Sequence, residues 1–262
     1  MNNIGLEVRS GVATVTLRKP PDNRFDGPMV EEFDKALDEV ISRNARALVL
    51  AGDGPDFCHG GDIVPWEKLG PGEWAAQLGR FAQVFNRIEH LPIPVIAAVQ
   101  GLCNGGAFEL VLRADLIFAG KSARFSSSEQ TLGLVTALGG VQRLAERVGR
   151  SLAYQWVLTS EQIPAEVLER HGAVNRVIDE AELLPEATRF AEKLAKGATL
   201  AHGAHKTLLR SWAIGGIAAA DDIMPDVFMP LLKSEDWKRG LQNGIAAYLA
   251  GKPRPELDFE GR

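Results

Sequence analysis

Only two cysteines, Cys58 and Cys103, occur in 262 residues. Their contexts, DFCHGG and GLCNGG, contain no CxxC pair. A zinc site or a disulfide is therefore not expected, and two reduced thiols in a cytoplasmic protein are. Excess positive charge is also missing. The formal net charge is −5, and no block of five or six like charges occurs, so a basic footprint for nucleic acid or for an anionic membrane surface is excluded. No stretch of about 18 apolar residues is free of charge, so no membrane span is expected. The opening residues, MNNIGLEVRSGVATVTL, lack a basic region followed by an apolar core and do not read as a signal or transit peptide. There is no internal repeat. The motifs GxxxxGK[ST] and GxGxxG are absent, which removes the phosphate-loop and dinucleotide readings. HGG at His59–Gly61 has the form of a serine-esterase oxyanion motif, but no GxSxG elbow supplies a nucleophile.

What is present is an ordinary globular balance, 45% hydrophobic and 24% charged, long enough for one large domain or one domain with an appendage. LEVRSGVATVTL reads as a hairpin turning at Ser10-Gly11. FDGPMVEEFDKALDEVISR reads as a helix capped by Asp26, with Pro28 in its first turn and Val30, Phe33, Leu37, Val40 and Ile41 on its apolar stripe. ARALVLAG, PVIAAVQG and DLIFAG read as buried strands separated by helices. That alternation predicts βαβ units and a parallel sheet covered on both faces. Beyond Gly139 the pattern is mainly helical with one short strand, AVNRVI. A core over 1–195 and a helical region over 196–262 are the expected units.

Two strands run into glycine pairs, Gly60-Gly61 and Gly105-Gly106. Glycine permits tight turns and close approach of backbone to a ligand. The second pair opens a helix, whose first N–H groups have no partner within it and carry partial positive charge. Two such N–H groups converging would form an oxyanion hole. Glu109 lies about one turn after Gly106, on the same face, inside the otherwise apolar run GLCNGGAFELVLRAD. Glu129 follows in ARFSSSEQTLGLVTALGGVQRL, again with few charges nearby. Two carboxylates in one poorly solvated pocket can differ in pKa and divide acid and base work.

These segments resemble the enoyl-CoA hydratase/isomerase family of the crotonase superfamily. The resemblance rests on FCHGGDI, GLCNGGAFELVLRADLIFA, FSSSEQTLGLVTALGGVQRL and LTSEQIPAEVLERHGAVNRVI, and spans nearly the whole chain. It implies an α/β fold of repeated ββα turns in a superhelix, with a helical C-terminal region that mediates trimers. It implies an acyl-CoA substrate, with CoA entering as part of that substrate, no separate cofactor and no metal. Gly61 and Gly106 match the thioester-oxygen donors, and Glu109 and Glu129 the two catalytic acids. His59, Gly61, Asp62 and Ile63 fall on the loop that meets CoA. Ala137 falls where a family glycine helps hold the catalytic water. A homotrimer or a dimer of trimers is expected on the same ground.

Hydration of an α,β-unsaturated thioester passes through an enolate-like transition state. Losing one oxyanion donor typically costs on the order of 10²–10³ in rate, and positioned acid–base groups contribute roughly 10²–10⁴. The chain departs from the family pattern at several positions. Ala107 replaces a glycine, Phe108 a smaller residue, Ser128 a proline, Thr136-Ala137-Leu138 a Pro-Gly-small sequence, and His59 the common alanine. Three readings follow: a hydratase, an enoyl-CoA double-bond isomerase served by the Glu129 position, and a non-catalytic acyl-CoA-binding oligomer on the same fold. An idle buried carboxylate costs stability, which favours the enzymes.

Overall fold

The chain begins with an antiparallel hairpin, β1 (Ile4–Arg9) and β2 (Val12–Leu17), in which Arg9 pairs with Val12. The expected turn residues Ser10 and Gly11 both take positive φ, 50° and 76°, as a two-residue turn between right-twisted strands requires. The computed structural model describes all 262 residues. Helix α1 (Gly27–Ser42) is capped by Asp26, whose side chain accepts from the Met29 N–H at 2.9 Å. Val30, Phe33, Leu37 and Val40 are buried as the stripe predicts. Ile41 is not. It is 54% exposed beside the fully buried Val40, so the buried stripe ends at Val40.

Three similar turns follow. Strand β3 (Ala47–Gly52) leads through Cys58 to α2 (Pro71–His90). Strand β4 (Val95–Val99) is followed by β5 (Leu102–Asn104) and α3 (Gly106–Val111). Strand β6 (Leu116–Gly120) is followed by β7 (Arg124–Ser126), a 3-10 turn over Glu129–Leu132 and α4 (Gly140–Val148). Next come α5 (Arg150–Thr159), β8 (Ile163–Pro164), α6 (Ala165–Arg170), β9 (Arg176–Ile178) and α7 (Glu180–Ala195). The main sheet has the order β1-β2-β3-β4-β6-β9 and is parallel beyond the hairpin. A second sheet, β5-β7-β8, is extended by a bridge between Cys58 and Cys103. The sequence pattern does not predict these strands of two or three residues, which are too short to show a period.

Alternate residues of the main strands face opposite layers, as the pleat requires. Ala47 and Val49 meet Leu183, Ala187, Ala191 and Ala195 of α7, which are four apart on one helix face. Leu48 and Leu50 meet the larger core with Phe33, Val84, Phe85 and Ile88 of α1 and α2. Both faces are thus covered, and the sheet's loops carry the polar residues.

Helix α8 (Thr199–Phe228) changes direction at Gly216, where φ is 74°, and α9 (Glu235–Leu249) follows. Lys206 ties α8 to the core through Asp115 at 2.8 Å. Arg46 holds the C-terminal tail, donating to the carbonyls of Gly197 and Phe259. No helix is long and apolar enough to cross a membrane.

Candidate active site

The second sheet brings the two glycine pairs together. The Cys58 N–H donates to the Leu102 carbonyl at 3.1 Å, and the Asn104 N–H to the Cys58 carbonyl at 3.0 Å. The two strands then deliver Gly60 and Gly106 side by side. A Cβ at Gly60, where φ is 89°, would lie 2.7 Å from the Asn104 carbonyl oxygen and 3.4 Å from the Gly106 nitrogen. The loop is anchored from outside by Phe25, whose N–H donates to the Gly60 carbonyl and whose carbonyl accepts from the Asp62 N–H. Gly105 donates to the Ser126 carbonyl at 2.8 Å. The N–H groups of Gly61 and Gly106 donate to no other group of the chain, and the latter is the first residue of α3, where no helical acceptor exists.

Glu109 is 3% exposed. Its Oε1 accepts from the Leu138 N–H at 2.9 Å and the Gly140 N–H at 2.8 Å. Gly140 opens α4, so the carboxylate sits on a helix N-terminus. Burial, and next the Glu129 charge, push the Glu109 carboxyl up to about 7 against those two donors. Glu129 comes from the 3-10 turn and points toward the start of α3. Its Oε1 lies 3.2 Å from the place a Cβ at Gly105 would occupy. Its Oε2 is buried without a hydrogen-bond partner, and burial raises its pKa. Two unspent amides and two carboxyls with raised proton affinity thus meet at the mouth of α3.

The remaining expected residues divide. His59 is tied to Asp56 at 2.9 Å, and Asp56 also accepts from the Leu102 N–H at 2.7 Å. The imidazole therefore braces the loop. Asp62 accepts from the Val64 N–H at 3.2 Å, and Ile63 is 45% exposed. Ala137 is exposed and its N–H is unused within the chain. Phe108 turns into the core against Phe125, with ring centroids 5.2 Å apart, so its bulk does not enter the site. Cys58 and Cys103 are fully buried free thiols. Burial pushes Cys58 up to about 12, which leaves it inert as a nucleophile at neutral pH. No three His, Cys, Asp or Glu side chains converge as metal ligands.

Sequence reasoning missed the backbone donors at Leu138 and Gly140, which no residue type announces. It also missed Arg113, although an arginine in the apolar run ELVLRAD is as anomalous as Glu109 four residues earlier. The sequence allows Trp66 either to line the pocket or to pack. Its ring lies against Gly61, with Cζ2 2.6 Å from where a Cβ would stand, and meets Trp74 edge-on at 4.6 Å.

The profile of the enoyl-CoA hydratase/isomerase family matches residues 7–251. A short-chain-enoyl-CoA hydratase of Clostridium acetobutylicum is 32% identical over 243 residues, covering 91% of this chain and 92% of that protein. A crotonyl-CoA hydratase of Syntrophomonas wolfei is likewise 32% identical, covering 91% and 93%. The crystal structure of an enoyl-CoA hydratase from Polaromonas sp. JS666 superposes with a TM-score of 0.86 at 28% identity, covering 97% of this chain and 98% of that one. With glycine pairs, carboxylates and sheet order all in place, the chain belongs to the enoyl-CoA hydratase/isomerase family.

Proposed function

We propose that the protein hydrates an α,β-unsaturated acyl-CoA thioester to the 3-hydroxyacyl-CoA. The observation that carries this reading is the pairing of two unspent amides, at Gly61 and Gly106, with two poorly solvated carboxyls, at Glu109 and Glu129. The thioester oxygen accepts from both amides, so charge moving onto it in the enolate is stabilised where it develops. One carboxylate takes a proton from water as the oxygen attacks C3. The other, protonated, gives a proton to C2 as the enolate collapses. Water and the enoyl thioester are consumed together, and no oxidant or reductant is needed. Raised proton affinity at both carboxyls suits them to take up and release protons during the reaction.

In this reading the backbone at His59, Gly61, Asp62 and Ile63 meets CoA, and the free Ala137 N–H helps hold the water. No separate cofactor takes part. The assembly is a homotrimer or a dimer of trimers, as in the family's resemblance, and the apolar surface of the C-terminal helices supports it. The names of the two curated relatives support hydration over isomerisation.

The test is turnover of crotonyl-CoA by the purified chain, followed as loss of the conjugated thioester absorbance, beside Glu129→Gln. Turnover by wild type and a loss of at least about a hundredfold in the variant is expected. Binding of the thioester without loss of absorbance in wild type rejects hydration of this substrate. Migration of the double bond in a longer enoyl-CoA would then identify an isomerase.

A further inference from the structure

Arg113 lies just past α3 and is 4% exposed. Its Nη1 donates to the Glu109 carbonyl at 2.7 Å. Its Nη2 donates to the Leu138 carbonyl and, at 3.1 Å, to Asn86 Oδ1, which also accepts from Nε at 3.2 Å. Leu138 is the residue whose own N–H donates to the Glu109 carboxylate. One rigid guanidinium therefore spans the two backbone segments between which that carboxylate is held. No carboxylate forms a direct ion pair with it. Glu89, the nearby acid on α2, is bidentate to Arg143 of α4. The charged groups acting on Glu109 are then Arg113 on its own segment, Glu129 on the 3-10 turn and Arg143 on α4, with Glu89 behind. Strand β5 contributes no charge. Although burial lowers Arg113 to about 10, it stays cationic at neutral pH.

We infer that Arg113 is a positioning residue for Glu109: its guanidinium clamps the Glu109 and Leu138 carbonyls in one register and sets a buried cation beside the carboxylate. This rests on the reading of Glu109 as an acid–base group. The cation opposes the two influences that raise the proton affinity of Glu109, its burial and the Glu129 charge. Without it, Glu109 would hold its proton to higher pH. The hydrogen-bonding role needs the planar fork, since an ammonium on a shorter reach cannot span both carbonyls.

The experiment is an infrared titration of the Glu109 carboxyl in the full, substrate-free chain, its band assigned with Glu109→Gln. Wild type is compared with Arg113→Met and Arg113→Lys, and crotonyl-CoA kinetics run in parallel. In Arg113→Met the midpoint is expected to rise measurably above that of wild type, with kcat down roughly tenfold or more and KM changed by less than about threefold. Arg113→Lys keeps the wild-type midpoint but shares the loss in kcat. A folded Arg113→Met with a wild-type midpoint overturns the inference. Should that variant not fold, Arg113→Gln, which removes the cation but keeps a hydrogen-bonding side chain, carries the same expectation of a raised midpoint, and an unmoved midpoint overturns the inference equally. Absence of crotonyl-CoA turnover in wild type would count against the hydratase reading alone, because the infrared midpoint decides the role of Arg113 without substrate.

Discussion

A carboxyl group withdrawn from water favours its neutral form, and at the residue scale Glu109 is the clearest instance. Its folded pKa of about 7 lies above the ordinary 4.5. The unfolded chain therefore loses this proton at lower pH than the folded one. Stability is unaffected by the group below about 4.5, falls as pH rises through the window to about 7, and carries the full loss above it. The loss is at most about 3 kcal/mol. Glu109→Gln removes the titration while keeping an oxygen for the Leu138 and Gly140 donors. Urea unfolding from about pH 4.5 to about pH 8 is expected to show the variant gaining on wild type across the window, by more than about 1 kcal/mol at the alkaline end. A constant difference would mean that Glu109 is not held as described. The oddity of one acid in an apolar run made Glu109 legible in the sequence. The same oddity at Arg113 had no motif attached to it, and its partners are backbone carbonyls that no residue code displays.

At the scale of elements, the site is made by two strand-to-loop exits meeting across a sheet of two- and three-residue strands. Gly60 is the tightest point of that meeting. A methyl there would sit 2.7 Å from the Asn104 oxygen, on a backbone with φ of 89° that disfavours any side chain. Gly60→Ala is expected to part the Gly61 and Gly106 amides and lower kcat on crotonyl-CoA by on the order of a hundredfold. Steady-state kinetics beside circular dichroism would separate this from unfolding. Undiminished kcat in the Gly60→Ala variant would show that the two loops need not touch. The glycine pairs were readable because glycine is conspicuous. The bridge from Cys58 to Cys103 that aligns them was not, since three residues cannot display a period of two. Phe108 shows the converse. Its bulk reads as an intrusion near the site, yet the first turn of α3 directs it against Phe125 in the core.

At the scale of the whole molecule, the sheet and its covering helices bury their apolar residues well, and the C-terminal helices do not. Leu209, Ile214 and Ile217 on α8 are 65%, 89% and 71% exposed, and Tyr248 and Leu249 at the end of α9 are 84% and 78%. Exposed apolar side chains on both C-terminal helices are the feature on which the proposed assembly is argued. Light scattering after gel filtration is expected to give three or six chain masses. A paired substitution, Ile214→Asp with Ile217→Asp, is expected to shift the protein to smaller species by placing charge in an apolar contact. A wild-type monomer at micromolar concentration would remove the trimer from the proposal.

The sequence alone determined the hairpin, the capped helix α1, the buried parallel strands and the two glycine exits, because each is encoded over a short span by period, cap or turn chemistry. It also singled out Glu109 and Glu129, through their anomaly and through a family resemblance. Only the tertiary structure decided that Oε1 of Glu109 rests on two backbone N–H groups, that Glu129 is left with a buried unpartnered oxygen, that Phe108 faces inward, and that Arg113 joins the segments around Glu109. The Glu109 and Arg113 links to Leu138 and Gly140 join residues 25 to 31 positions apart through backbone atoms common to every residue. Local sequence carries the chemistry of a side chain, whereas long-range packing supplies the environment that tunes it.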